Sequence, residues 1–206
     1  QEALDRGLTM PATLINDARA FTLAEGRMGA GKGADIVVCM TLGTGVGGGI
    51  MIDGRLFTGA TGIAGEIAHQ TVLPDGPVCG CGNYGCAEGV ARSDRLASMA
   101  GRQSVEEVFA GLAAGDERCA KAVATAGKYL GIAIANVVTF FGPDRIVIGG
   151  GIVGAGDAIL DPIRASVRDH VTLVSHDRID IVAAALGAEA GAIGASLAAS
   201  DAAATS

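Results

Sequence analysis

Four side chains that together could bind a metal ion lie close to one another in the sequence. His69 is followed by Cys79, Cys81 and Cys86, with glycines between the cysteines. Three thiols and one imidazole make a complete tetrahedral ligand set for Zn²⁺. The alternative is three buried thiols and a core histidine, but packing does not explain so many cysteines and glycines in one segment. We therefore predict zinc, and because protein ligands fill all four positions, its role would be structural.

Two carboxylates flank these four residues. Glu66 precedes His69, and Glu88 follows Cys86. A metal site that fixes two acidic side chains close together suggests a ligand with many hydroxyl groups, because carboxylate oxygens accept hydrogen bonds from hydroxyls. The sequence thus predicts a binding site for a polyhydroxylated molecule.

A further pair of polar residues, Asn16 and Asp17, has two interpretations. Either residue can cap a helix that runs on to residue 25. Alternatively, Asp17 is a general base that accepts a proton from a hydroxyl, while Asn16 holds a neighbouring hydroxyl. The residue types alone favour the cap.

Three segments are rich in glycine. The segment 41–49 lies between two predicted strands, and its backbone N–H groups with the hydroxyls of Thr41 and Thr44 suit a phosphate, although a plain hairpin turn fits equally well. The segment 149–154 follows a strand and opens a helix, as in a dinucleotide-binding fold; close approach of a flat base and simple packing are alternatives. The segment 26–33 lacks the hydroxyl of a P-loop and follows a helix, so we predict a connector.

The composition restricts the classes of protein that fit. Of 206 residues, 50% are hydrophobic, 33 are glycine and none is tryptophan, which is typical of a soluble, closely packed α/β protein. A net charge of -7 without clusters of Lys and Arg argues against a nucleic-acid surface. The longest nearly apolar run, 130–142, is too short to cross a bilayer and contains Asn136, so no membrane span is expected.

The cysteines and the first residues indicate a compartment. Cysteines clustered as for a metal favour a reducing cytoplasm over a secreted disulfide scaffold, and the charged N-terminus does not resemble a signal peptide. We expect Cys39 and Cys119 to be buried and His170 and His176 to be solvated. The chain begins with Gln1 rather than Met, which suggests a fragment.

The hydrophobic pattern predicts a layered α/β architecture. Residues 1–8 resemble the end of a helix. Strands are predicted at 35–42, 47–52, 145–148 and 179–184, with a hairpin turn at Asp53 and Gly54. Helices are predicted from 16 to 25 and at 92–100, 104–113, 119–141, 157–168 and 189–199. The alanine-rich tail after Ser200 is expected to fray.

Together the motifs resemble the ROK family of bacterial sugar kinases and sugar-responsive repressors, over nearly the whole chain. They occur in the order of that family: Asn16-Asp17-Ala18, the loop 41–49, Gly65-Glu66-Ile67-Ala68-His69, the cysteine segment 79–88 and Ile148-Gly149-Gly150-Gly151. The cysteine segment with its flanking glutamates is highly specific. The resemblance implies the actin-like ATPase (ribonuclease H-like) fold, with a mixed sheet and flanking helices.

The same resemblance implies roles for individual residues. Asp17 would be the base that activates the sugar hydroxyl attacking the γ-phosphate of ATP, which binds with Mg²⁺. Asn16, Glu66, His69 and Glu88 would hold the remaining hydroxyls, and His69 would also ligate zinc. The loop from Thr41 to Gly47, including Gly43, Thr44 and Gly45, would contact nucleotide phosphates. The adenosine pocket would be lined by Gly149, Gly150 and Gly151.

The chain departs from the family pattern at a few positions. Ala68 stands where the family has Gly, Ala87 where it has Leu, and Arg19 where many relatives have Asn, and none of these removes a functional side chain. Family kinases open with a phosphate- and Mg²⁺-binding hairpin in a smaller first domain, which this sequence lacks before Asn16.

We therefore expect a remnant of the small lobe at 1–15 and a large sugar- and nucleotide-binding domain at 16–186, with the zinc loop at 69–86. A C-terminal helix and tail would follow at 187–206. We expect this material alone to bind zinc, and sugar weakly, without turnover.

The leading interpretation is ATP-dependent phosphorylation of a hexose, glucose first, at its 6-hydroxyl. The alternative is the sugar-sensing domain of a ROK repressor, which would keep the zinc loop and the glutamates but has no chemical need for Asp17 or the loop 41–49. A nicotinamide-dependent oxidoreductase built on 149–154 is a more distant third. The family likeness also suggests a cytoplasmic homodimer or homotetramer.

Overall fold

A computed structural model describes residues 6–7 and 10–205 of the chain. The strands are β1 (Ile36–Leu42), β2 (Val46–Ile52), β3 (Arg55–Leu56), β4 (Arg145–Gly149) and β5 (Asp180–Ala183). The α-helices are α1 (Asp17–Met28), α2 (Ala87–Ala91), α3 (Ser93–Ala100), α4 (Val105–Ala113), α5 (Glu117–Phe141), α6 (Asp157–His170) and α7 (Ala190–Thr205). Short 3₁₀ turns occur at Ile67–His69, Gly151–Ala155, His176–Arg178 and Gly187–Glu189.

The strands form one mixed sheet in the order β3-β2-β1-β4-β5. Neighbours β1 and β2, and β2 and β3, run antiparallel, whereas β1 and β4, and β4 and β5, run parallel. The β2–β3 hairpin turns at Asp53 and Gly54, whose φ angles of 50° and 73° match a turn that needs two positive φ values. The predicted strands and this turn are confirmed within one or two residues at each end.

Helices cover both faces of the sheet. Alternate side chains of β1 point to opposite faces, so Val38 and Met40 join the large core under α5 and α6, while Val37 and Cys39 join a smaller core under α1 and α7. Cys39 and Cys119 are both fully buried, as predicted. This three-layer arrangement brings the N-terminus of α1 close to the turn between β1 and β2, at one end of the strands.

A capping residue stands at each end of helix α5. Asp116 precedes α5, and its carboxylate accepts hydrogen bonds from the backbone N–H groups of Arg118 and Cys119 at 2.9 and 3.0 Å. Gly142 ends the same helix in the left-handed conformation, with φ 52°. These caps satisfy backbone groups that have no partner inside the helix.

Helix α5 is the single helix among the described residues that is long and apolar enough to cross a membrane. Its most apolar stretch of 18 residues has a mean hydropathy of 1.4, and 56% of that stretch is buried within the domain. The helix is longer than the apolar run 130–142, since it begins at Glu117 and its first half contains Lys121 and Lys128. Its packing against the sheet and α6 is that of a core helix.

The structure differs from the predicted elements in three places. The connector predicted at 26–33 begins later, because α1 continues to Met28, and Gly26 packs against the Met51 side chain with no room for a Cβ. The five-residue helix α2 follows Cys86 directly and was not predicted. Helix α7 continues past Ser200 to Thr205, and Asp201 in this part pairs with Arg27 of α1 at 2.7 Å.

Of the helical end predicted at 1–8, residues 6–7 are helical and the others lie outside the described residues.

Candidate functional site

The predicted metal ligands converge on one point. One ligand atom each from His69, Cys79, Cys81 and Cys86 lies within 4.8 Å of the other three. The Cys81 and Cys86 sulfurs are 3.7 Å apart, and Cys79 Sγ lies 3.5 Å from His69 Nδ1. Tetrahedral zinc, with Zn–S about 2.3 Å and Zn–N about 2.0 Å, requires separations of about 3.8 Å between two sulfurs and about 3.5 Å between a sulfur and a nitrogen. The donor set and its spacing therefore fit Zn²⁺.

The loop that carries the cysteines is fixed by its own backbone. Cys79 donates its N–H to the Asn83 carbonyl at 2.8 Å, and Gly82, with φ 92°, makes the turn between them. Gly85 also has a positive φ and lies directly against the Leu73 carbonyl, so a side chain there would clash. Cys86 is the N-cap residue of α2, which places Glu88 in the first turn of that helix. Gly82 and Gly85 thus serve the tight path of the loop.

A first cavity of about 350 Å³ brings the other predicted residues together. It lies where the N-terminus of α1, the β1–β2 turn, the 3₁₀ turn Ile67–His69 and helix α2 meet. The predicted site residues that line it are Asn16, Asp17, Thr41, Gly43, Thr44, Gly45, Glu66, His69, Glu88, Gly150 and Gly151. Three carboxylates, an imidazole and a glycine turn therefore face one space, although their positions in the sequence are far apart.

The two interpretations of Asn16 and Asp17 are compatible. Asn16 is the N-cap of α1, and its Oδ1 accepts a hydrogen bond from Arg19 N at 3.1 Å. Asp17 is the first residue of the helix, and its Oδ1 accepts a hydrogen bond from Ala18 N at 2.8 Å. The cap therefore fixes the start of the helix so that the Asp17 carboxylate lines the cavity.

Glu88 connects the cysteine loop to the β1–β2 turn. Its Oε2 accepts a hydrogen bond from Val46 N at 3.2 Å, and Cys79 Sγ lies 3.3 Å from its Oε1. Since Val46 is the first residue of β2, one carboxylate touches both the metal-ligand cluster and the edge of the glycine turn. The position of the cluster thus determines where this acidic group stands in the cavity.

The glycines of the segment 41–49 have two different roles. Gly43, Thr44 and Gly45 form the turn itself, closed by a 2.9 Å hydrogen bond from Gly43 N to Gly45 O, and they face the cavity. Gly47, Gly48 and Gly49 belong to β2, and a Cβ on them would overlap Ala18, Ile67 and Thr22 respectively; Gly47 also lines the cavity. The hairpin predicted as the simpler alternative is therefore present, and its strand glycines let α1 and the 3₁₀ turn pack directly on the backbone of β2.

A second cavity of about 460 Å³ lies beside the end of β4. A Cβ on Gly149 would overlap the Phe21 ring. Gly150, with φ 92°, lies against the backbone of Leu42. Gly151 has no atom near its Cβ position, so its backbone is open to approach. The dinucleotide-binding interpretation of this segment stays a prediction: β4 and β5, the strands before and after α6, run parallel, whereas β2 is antiparallel to β1.

The remaining predicted histidines lie away from both cavities. His170 and His176 are exposed and contact backbone carbonyls of Ser166 and Val171, at 2.7 and 2.9 Å. Sequence reasoning missed Glu25, which is fully buried in α1 and accepts hydrogen bonds from three backbone N–H groups. A lone carboxylate between Ala24 and Gly26 in an otherwise apolar stretch was the available signal.

Comparison with known proteins finds glucokinases and a ROK family regulator among the relatives of this chain. The glucokinase of Halalkalibacterium halodurans is 36% identical over 94% of this chain and 65% of its own length. A ROK family glucokinase from Streptomyces griseus, solved in complex with glucose and AMPPNP, superposes with a TM-score of 0.84 at 32% identity over 94% of this chain and 70% of that one. A ROK family transcriptional regulator, a homologue of the E. coli MLC protein, superposes with a TM-score of 0.82 at 31% identity, covering 96% and 53%.

The chain spans slightly less than two thirds of the first curated relatives, 65% and 63% of their lengths. Likeness to the solved ROK sugar kinases confirms the predicted actin-like ATPase fold with its mixed sheet and flanking helices. The sequence profile of the ROK family matches residues 1–202. The chain therefore belongs to the ROK family.

Proposed function

We propose that residues 16–186 form the sugar- and nucleotide-binding domain of an ATP-dependent hexose kinase of the glucokinase type. The single observation that carries the proposal is the convergence of Asp17, Glu66, His69 and Glu88 with the Gly43–Gly45 turn in one cavity. Acceptors for sugar hydroxyls and backbone donors for phosphate thus lie side by side. Glucose is the first substrate to test, with transfer to its 6-hydroxyl, and the glucokinases among the relatives support that choice.

On the acceptor side, Asp17 takes the proton from the attacking hydroxyl. A general base must lie within hydrogen-bond reach of that proton. Asp17 lines the first cavity, and the Asn16 cap fixes the start of the helix that carries it. Asn16, Glu66, His69 and Glu88 hold the other hydroxyls. These groups orient the sugar, and positioning supplies much of the rate in phosphoryl transfer.

On the donor side, Thr41, Gly43, Thr44 and Gly45 contact the phosphates of ATP, and Gly149, Gly150 and Gly151 line the space for adenosine. The support is the arrangement of the two cavities, which share Gly150 and Gly151. When bound with ATP, Mg²⁺ neutralises charge on the phosphate oxygens. In this proposal the first cavity receives the sugar and the phosphates, and the second receives the base.

Zinc in this proposal is held by His69, Cys79, Cys81 and Cys86 and has a structural role. The contact of Glu88 with Cys79 and the place of Glu66 three residues before His69 support this role. A His69 ring that uses Nδ1 for the metal keeps Nε2 for a hydroxyl. The metal thus fixes the loop so that the acidic side chains keep their positions.

The proposal is tested with conservative variants. Glucose binding to this chain is measured by titration calorimetry, and glucose-dependent release of ADP is measured in the full-length protein. We expect Glu66→Gln and Glu88→Gln to weaken glucose binding, and Asp17→Asn to bind glucose but to release ADP at least about a hundredfold more slowly. Asp53→Asn, in the exposed β2–β3 turn, is the matched control and should behave as wild type. Equal rates for Asp17→Asn and Asp53→Asn would refute the assignment.

A second candidate function is the sugar-sensing domain of a ROK repressor, which the likeness to the solved ROK regulator favours. A sensor needs the sugar-binding carboxylates but no nucleotide. A fluorescent ATP analogue separates the two functions, because a kinase domain binds it and a sensor domain does not. Binding of glucose without any binding of the analogue would favour the sensor.

A further inference from the structure

A buried carboxylate outside the proposed catalytic groups connects helix α1 to the far end of the chain. Glu25 is fully buried, and its Oε2 accepts hydrogen bonds from Ala30 N at 2.8 Å and from Ala185 N at 3.1 Å. Its Oε1 accepts a hydrogen bond from Leu186 N at 2.8 Å. A charged group is costly to bury unless hydrogen bonds replace its hydration, and here three backbone donors do so.

Two of these donors belong to the wall of the second cavity. Ala184, which precedes them, and Gly187 and Ala188, which follow them, all line that cavity. The Ala184 N–H makes the last hydrogen bond of this segment to the sheet, with Ile148 O at 2.9 Å. Beyond that point the N–H groups of the next two residues bind Glu25. The carboxylate therefore sets the path of this wall where the sheet no longer does.

Helix α1 also supplies the floor of the same cavity. Phe21 lies one turn before Glu25, lines the cavity and packs against Gly149 so closely that a Cβ there would overlap its ring. Gly29 leaves the space that the Glu25 carboxylate occupies, since a Cβ on Gly29 would overlap Oε2. One helix thus fixes both the floor and the wall of this cavity.

We infer that Glu25 is a positioning residue for the nucleotide: it holds the Ala184–Ala188 wall in the shape that receives the adenosine part of ATP. The inference rests on the proposed function. Glu25 does not line either cavity, so its effect passes through the backbone of the wall. Loss of its hydrogen bonds should therefore weaken nucleotide binding and leave sugar binding unchanged.

The test compares Glu25→Gln with Asp144→Asn. A glutamine keeps the shape but turns one acceptor into an N–H₂ donor that faces a backbone donor. Asp144 is an exposed carboxylate that also binds backbone donors: its Oδ2 accepts hydrogen bonds from Asp35 N at 3.1 Å and Ile36 N at 2.8 Å at the opposite end of the strands, so it controls for the loss of such bonds away from the cavity. The probes are a fluorescent ATP analogue and glucose, titrated into the full chain.

We expect Glu25→Gln to weaken binding of the ATP analogue at least about tenfold and to change glucose binding less than about twofold. Asp144→Asn should change neither affinity. A folded Glu25→Gln protein that binds the analogue as wild type does, or that loses affinity for both ligands equally, would overturn the inference. If Glu25→Gln does not fold, Glu25→Asp keeps the charge but shortens the reach, and it must show the same selective loss.

The outcomes also separate this inference from the proposed function. A wild-type chain that binds neither probe contradicts the proposed function and the inference with it. A chain that binds the analogue normally in both variants, with Glu66→Gln still losing glucose, contradicts the role of Glu25 alone.

Discussion

The guanidinium of Arg19 lies 3.7 Å from the carboxylate of Glu66, measured from Nη2 to Oε1. The same Nη2 donates hydrogen bonds to the carbonyls of Gly62 and Ala64, so the residue ties helix α1 to the loop that leads to Glu66. Arg19 was noted in the sequence only as a departure from the family pattern. In the structure it connects the helix that carries Asp17 with the second carboxylate of the first cavity.

Replacement of Arg19 by alanine should therefore weaken glucose binding by about threefold to tenfold. The loop 57–66 loses its anchor to α1, so its amides should also exchange with solvent faster. Arg27→Ala is a matched control, since Arg27 on the same helix also binds a backbone carbonyl, that of Gly54, and a carboxylate, that of Asp201, away from the cavity. Equal glucose affinity in the two variants would contradict the role of Arg19.

The ligand set predicts about one zinc ion per chain in freshly purified, reduced protein, measured by elemental analysis. Cys81→Ser should lose the metal without disturbing the core, because Cys81 is exposed. Cys119→Ala, which removes a buried thiol outside the cluster, should keep it. Removal of zinc by a chelator should lower the melting temperature and the affinity for glucose. Metal-free protein, or equal zinc in Cys81→Ser and wild type, would contradict the assignment.

Burial raises the pKa of the Cys39 thiol from 9.0 to about 12. Between these values the folded protein keeps the proton and the unfolded chain loses it, so the free energy of unfolding contributed by this group falls as the pH rises. Below pH 9.0 the contribution is complete. Chemical unfolding of wild type and Cys39→Ala at about pH 8 and about pH 10 should show a smaller difference at the higher pH. A difference that does not change with pH would contradict the prediction.

Gly48→Ala should disturb the first cavity through packing. A Cβ at this position would overlap the Ile67 side chain and displace the 3₁₀ turn that carries Glu66 and His69 at its start and end. We expect a loss of about 1–3 kcal/mol in the free energy of unfolding, together with weaker zinc and glucose binding. Gly191→Ala in α7, where a Cβ meets no atom, should be neutral or stabilising by about 0.5–1 kcal/mol. A similar effect of both substitutions would exclude the packing explanation.

Local patterns predicted the elements that local interactions determine. Asn16 caps a helix, Gly142 ends one, and the Asp53-Gly54 turn closes a hairpin, because each depends on residues next to it in the sequence. The connector after α1 was predicted to begin at Gly26, because glycine has a low helix propensity, whereas the helix continues to Met28. The contact of Gly26 with Met51, on a strand far along the chain, outweighs that preference.

The sequence by itself predicted the groups that could do chemistry: the four candidate metal ligands, the carboxylates and the glycine turn are recognisable because their residue types have few other uses at that spacing. Only the tertiary structure decided which of them share a cavity, and which glycines serve packing rather than binding. It also revealed Glu25, whose partner Leu186 is 161 positions away. The physical reason is that such contacts depend on how the helices pack across the sheet. A local sequence pattern does not encode contacts between residues so far apart in the chain.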